Sequence, residues 1–223
     1  MEWILNACVI ALLECQNVSL LGIPRMLVDE QYRFWVLKQV QDPMVKTIWE
    51  RELSRFDKRM WQEAISPIQN KVGAFLMAAP VRNILGQVKS RIHARFMMDH
   101  RRIFIANLSK GRLGEDNSNL LGAILVTMFQ LAAMSRTTVP EEKREDFHLV
   151  VDEFQNVSSD SFISILSEAR KYRLALTLSH QHASQLREEI RDSVFGNVGS
   201  IVSCKRRSKS AAGGGAEQKC GTP

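Results

Sequence analysis

Through the first hundred positions, apolar residues recur every three to four places, the spacing of a helix with one buried face. Trp3, Ile4, Ala7, Cys8, Ala11 and Leu12 mark the first such stripe. Asp29 stands as a cap before Tyr32, Trp35, Val36 and Val40. Asp42-Pro43 supplies an N-cap and a first-turn proline ahead of Val45, Ile48, Trp49 and Leu53. Ser66-Pro67 repeats the device before Ile68, Val72, Phe75 and Leu76, and Pro80 opens a short turn that Gly86 closes.

Near Arg102 the pattern changes to short apolar runs. Ile103–Leu108 reads as a strand, 109–119 as a polar loop with two glycines, and 120–135 as a helix apolar on most faces and so buried. After a charged connection at 137–146, the run Leu149-Val150-Val151 reads as a buried strand of a parallel sheet. A helix at 161–171, a strand at 174–179, a helix at 183–192 and a last strand at 200–203 follow. Four strands alternating with helices predict an α/β fold, a parallel sheet with right-handed crossovers, behind an all-α domain.

Composition alters this picture little. With 45% hydrophobic residues the chain can build a core. Its net charge is +6, but +4 of that lies in residues 204–223, so the basic character belongs to the tail and does not imply a basic groove. That tail, with three consecutive glycines and no hydrophobic period, is expected to be flexible and is a candidate for out-of-frame sequence. Cys8, Cys15, Cys204 and Cys220 form no C-x-x-C pair, which argues against a zinc site or a secreted disulfide framework. Glu2, Asn6 and Glu14 interrupt the N-terminal apolar run, which argues for a soluble intracellular chain without a signal peptide. The aromatics Trp35, Trp49, Phe56 and Trp61 are expected to fill a core rather than stack on bases.

The candidate chemistry begins at the end of the strand before Asp152 and Glu153. Ligands of parallel sheets bind outside the carboxyl ends of the strands. An apolar strand ending in Asp-Glu is how P-loop NTPases hold Mg²⁺ and orient the attacking water. Gln181, just past the next strand, is the candidate γ-phosphate sensor, and Arg170 the candidate arginine acting on a neighbouring subunit. The phosphate cradle G-x-x-x-x-G-K-[ST] does not occur in these residues.

Taken together, LVVDEFQNV, ILSEARKYRLALTLSHQ, FGNVGSIVS and the upstream IANLSKGRLGEDNSNLLGAILV resemble the TraG/TraD-type conjugative coupling ATPases, type IV secretion motors of the HerA/FtsK group. The resemblance runs from about Met1 to Ser203 and includes QDPMVKTIWERE and AISPIQNKVGAFL. It implies a RecA-like ATPase domain, here its C-terminal part at 96–203, behind an inserted helical domain at 1–95. It further implies ATP and Mg²⁺ as cofactors, homo-hexameric rings, and DNA, relaxosome and secretion-channel proteins as partners. The implied location is cytoplasmic, at the inner face of the membrane through partners. Asp152 and Glu153 match the acids of the Walker B strand, Gln181 the polar sensor and Arg170 the trans arginine. Two departures stand out: the phosphate loop and first strand are expected upstream, and Met98-Asp99-His100-Arg101 replaces a glycine-containing turn.

Two other readings remain. Asp152-Glu153-Phe154-Gln155 also fits the D-E-x-Q box of a superfamily 1 helicase, but no Gly-Asp precedes Ser179-His180-Gln181 at the next strand end. A non-catalytic fragment that binds DNA or intact motor subunits is the stronger alternative, because ATP affinity without the phosphate loop should be very weak. Lys110 and Arg112, in a glycine-containing loop, are the candidate DNA contacts.

Overall fold

Short capped helices build the first half of the chain, seen in a computed structural model that describes residues 2–158, 160–182 and 185–203. Helix α1 (Glu2–Leu13) buries Ile4, Ala7, Cys8, Ala11 and Leu12. It is followed by α2 (Gly22–Val28), α3 (Glu30–Gln39) and α4 (Pro43–Thr47), the last continuing through a π turn and a 3-10 turn to Arg55. Asp29 and Asp42 cap α3 and α4 by accepting from the backbone N–H of Tyr32 (2.9 Å) and Met44 (2.7 Å).

Helix α5 (Lys58–Met77) corrects one expectation. It starts at Asp57, whose carboxylate accepts from Met60 N–H, and carries Pro67 in its interior rather than beginning there. An interior proline costs about 3 kcal/mol. The buried face of Ile65 and Ile68, flanked by Trp61 and Val72, offsets that cost on both sides of the break. Helix α6 (Ala79–Leu85) ends at Gly86, as the sequence suggests; a Cβ there would meet the Arg82 carbonyl at 2.6 Å.

These helices close over one core running from Ile4 to Ile68. Trp49 is buried at its centre and donates from its indole nitrogen to the Ala7 carbonyl (3.2 Å). Trp61 packs edge-on to both Trp49 and Phe56, whereas Trp35 lies outside, stacked on Tyr32 and 46% exposed.

A second core, from Ala94 to Val194, organises the rest. Helix α7 (Ala94–Asp99) leads to Arg101, whose left-handed backbone (φ 51°) makes the turn without a glycine. The expected polar loop is shorter than its composition suggests. It forms α8 (Lys110–Leu113), and Gly114 (φ 81°) starts α9 (Glu115–Met134) five residues earlier than predicted. Glu115 and Asp116 in the first turn favour that start.

Helix α9 is, among the described residues, the one long and apolar enough to cross a membrane. Leu121, Gly122, Val126, Phe129 and Ala133 bury one side of it, while Leu131 is 61% exposed, so it is not enclosed all round as expected. Strands β1 (Phe147–Val151) and β2 (Leu174–Leu178) pair in parallel, Phe147 opposite Leu174 through Val151 opposite Leu178. Between them run α10 (Asp160–Glu168) and a 3-10 turn; α11 (Glu188–Asn197) follows β2. The helix predicted at 183–192 instead runs over Glu188–Asn197, five residues further toward the C-terminus, with Ala183 and Ser184 outside the described residues.

The fold is mixed α/β, and its described sheet has two strands rather than four. Segments 103–108 and 200–203 have the composition of strands but pair with nothing described; Ile103, Ile105 and Val202 are 86–89% exposed. Nor is the sheet covered on both faces. Phe147, Leu149, Val151, Leu174, Leu176 and Leu178 pack on the helices, whereas His148, Val150, Ala175 and Thr177 are exposed. A strand needs a neighbour for its backbone groups and a layer for each face, and sequence pattern alone supplies neither.

Candidate functional site

Strand β1 ends at Val151, and the chain then turns sharply over the end of β2. Ser179 N–H donates to Val151 O (3.0 Å) and Phe154 N–H to Ser179 O (3.0 Å), so pairing continues past both strands and fixes the turn between them. Phe154 is fully buried beneath it, 5.4 Å from the Phe162 ring and 5.9 Å from the His180 ring. Glu153 adopts the left-handed conformation (φ 51°, ψ 44°), which a residue with a Cβ holds only when its surroundings enforce it. Phe154 acts as that anchor.

On this turn the polar side chains converge. Asp152 Oδ1 accepts from the Ser179 hydroxyl and from Glu153 N–H (3.0 Å). Glu153 is held from both sides, Oε1 accepting from Gln181 Nε2 (2.5 Å) and Oε2 from Gln155 Nε2. The other amide atom of Gln155, Oε1, is buried without a hydrogen-bond partner among the described residues. Asp152, Glu153 and Gln181 therefore come together from residues 28 apart, and the pairing of β1 with β2 does it. Ser179 and Gln155 complete the cluster; their signal in the sequence is only their adjacency to the strand ends.

Lys110 stands in a different setting from the one its sequence suggests. Its ammonium bonds Glu115 (2.6 Å) and Asn156 Oδ1 (3.2 Å), which brings α8 beside the turn of Glu153. That ammonium holds the Glu115 carboxyl below the usual carboxylate range, chiefly through the hydrogen bond and then through charge. Lys110 thus lies by the acidic cluster within a short helix, not free in a polar loop, while Arg112 on the same helix is exposed. Arg170 is not part of the cluster. It is exposed in the 3-10 turn before β2, at the amino end of a strand whose carboxyl end leads to Gln181.

A cavity of about 660 Å³ opens at the cluster. Asp152, Glu153, Asn156, Gln181 and Lys110 line its polar end, and Leu125, Val126 and Phe129 of α9 its apolar floor. Gly122 lets α9 approach the turn: a Cβ there would stand 2.3 Å from Val157 Cγ1. Volume and lining fall in the range of small-molecule sites.

The donors suit a hard cation in one respect. Mg²⁺ binds through one or two carboxylates and keeps waters and substrate oxygens for its remaining positions. Asp152 is an exposed carboxylate beside a hydroxyl, and no group of three or more His, Cys, Asp or Glu side chains able to hold a metal occurs among the described residues. No protein-family model, curated protein or solved structure matches this chain.

Proposed function

We propose that this chain is part of a nucleotide-hydrolysing α/β motor domain, its catalytic carboxylates carried at the end of a parallel strand. More particularly, the reading is a RecA-like P-loop ATPase that moves DNA, of the type IV secretion coupling kind, with a helical domain in front. The observation that carries it is the convergence of Asp152, Glu153, Ser179 and Gln181 at the carboxyl end of β1 and β2.

In this reading Asp152, beside the Ser179 hydroxyl, would hold Mg²⁺, which would supply positive charge toward phosphate oxygens. Glu153 accepts a proton from, and so polarises, a water in the cavity. The Gln181 amide, already donating to Glu153, reports what occupies the space beside it. Gln155 fixes the second carboxylate oxygen and limits Glu153 to one orientation. The exposure of Arg170, away from the cluster, is compatible with action on a neighbouring subunit of a homo-hexamer. DNA, relaxosome and channel proteins are the partners this reading implies, and the inner face of the membrane its location.

Measuring ATP turnover with and without DNA tests the reading. Glu153→Gln keeps the shape and removes the base. General-base chemistry predicts a fall in turnover of about 10²–10⁴-fold. Turnover untouched by that change would sink the assignment.

A second reading starts from residues 1–223, in which G-x-x-x-x-G-K-[ST] does not occur. The chain then binds DNA or intact motor subunits without catalysing. Absence of turnover, with salt-sensitive DNA binding or capture by a phosphate-loop-bearing subunit, would select it.

A further inference from the structure

A second cavity, of about 860 Å³, lies where the helical and sheet regions meet. Leu12, Leu13 and Leu20 wall it from the first region, and Leu121, Ile124 and Met128 of α9 from the second. Leu13, Leu20 and Ile124 remain 79%, 42% and 38% exposed beside it, and Leu121 and Ile124 belong to neither core. Phe104, Ala106, Asn107 and Leu108 border both this cavity and the one at the acidic cluster. Asp152, Glu153, Gln181 and Lys110 border only the latter, so the two cavities share a wall and no ionised residue.

Charge is what gives the larger cavity its selectivity. Among the described residues, Arg91 is the one ionised group lining it, and no carboxylate does. The hydroxyl of Ser90 accepts from Ile92 N–H (3.2 Å) and fixes the bend that brings Arg91 and Ile92 to the cavity mouth. Arg91 is exposed and makes no ion pair or side-chain hydrogen bond with any described residue. Its neighbours in the same basic stretch are occupied: Arg95 is bound to Asp99, and Arg101 to Glu145. Arg91 is therefore a guanidinium with its donors free, set at the mouth of a leucine-lined chamber.

We propose that this cavity binds a single-chain amphipathic anion, its alkyl chain against the leucines and α9 and its head on Arg91. A carboxylate and a phosphate monoester share the chemistry required of that head, since a guanidinium takes either in bidentate fashion. A cationic amphiphile meets like charge at the mouth and finds no carboxylate to pair with. A small anion without a tail leaves the apolar walls in water. The volume lies within the 300–1,000 Å³ range of small-molecule sites. No group of the acidic cluster takes part, so the site stands apart from nucleotide hydrolysis.

Isothermal titration calorimetry on the full chain tests this, with every amphiphile below its critical micelle concentration. Dodecanoate and monododecyl phosphate should each saturate at one molecule per chain, the tighter of the two naming the preferred head. Dodecyltrimethylammonium and acetate should not saturate. Arg91→Gln, at an exposed position, should weaken both anions about tenfold or more, the loss expected for a hydrogen bond to a charged group. Ile124→Trp should fill the chamber and abolish binding, while Glu153→Gln should leave it unchanged. Absence of saturable binding by either anion would overturn the proposal. So would equal binding of the cationic amphiphile, an affinity untouched by both Arg91→Gln and Ile124→Trp, or acetate binding as tight as that of dodecanoate, which would mean a surface anion only.

Discussion

The helical region and the sheet region differ in how they satisfy their backbones. In the first, the α-helices from α1 to α6 make most of their hydrogen bonds internally, and side chains such as Asp29, Asp42 and Asp57 satisfy the exposed ends. Its core needs only side-chain packing, from Ile4 to Ile68. In the second, β1 and β2 satisfy each other along one edge and leave the rest open, with Ile103, Ile105, Val150 and Val202 exposed. A helix is complete in its own backbone, whereas a strand is complete only between neighbours. The two regions therefore differ in what they require from other polypeptide, although each has a core of its own.

The largest test of that contrast lies at Arg136, which is fully buried in the sheet region. It donates to Asp99 (3.0 Å) and to the carbonyls of Glu145 (2.8 Å) and Tyr172 (3.1 Å), so it ties α7 to both strand entrances. Asp99 is a third exposed and also paired with Arg95, so the loss falls mainly on the buried hydrogen bonds of Arg136, each worth about 1.5–3 kcal/mol. Arg136→Ala should therefore lower the urea midpoint of the sheet region. Hydrogen-exchange protection across residues 4–68 should survive; loss of both together would show that the two cores fold as one.

Gly122→Ala should come next. The new methyl meets Val157 at a distance no Cβ tolerates, and overpacking of this kind costs about 1–3 kcal/mol. Because Val157 follows the turn of Glu153, any activity should fall more than stability alone explains. An activity that tracks the folded fraction would remove Gly122 from the site's support.

In the helical region, burial pushes the Cys8 thiol up from 9.0 to about 12, with Arg33 opposing weakly. The folded state holds its proton where the unfolded state has lost it. The contribution is complete below pH 9 and is lost as pH rises toward 12, at about 1.4 kcal/mol per pH unit. Cys8→Ala should flatten that slope relative to the parent chain in paired pH titrations of urea stability; identical slopes would place the thiol in contact with solvent. Asp29→Ala, which removes the cap of α3, should cost only about 1 kcal/mol. Thermal melts should show a change confined to the helical region.

Most of the helical half was legible in the order of residues. The caps at Asp29 and Asp42, the stripe of α1 and the stop at Gly86 depend on contacts within a turn or two, and short-range chemistry decides them. The start of α5 was not legible, because Pro67 gains from packing on both sides what it loses in its own turn. The acidic pair at the end of β1 was also visible, as was Gln181. Their joining was not, since it depends on the register that sets Val151 opposite Leu178.

By itself, then, the sequence determined most helices of the first half, the apolar runs able to form strands and the identity of the polar residues that follow them. Tertiary structure alone decided which extended runs became strands, that Lys110 meets Asn156, and that Arg170 stands apart. The physical reason is one of range. Helical hydrogen bonds close within four residues, while a strand's bonds and a site's geometry depend on residues far away in the chain.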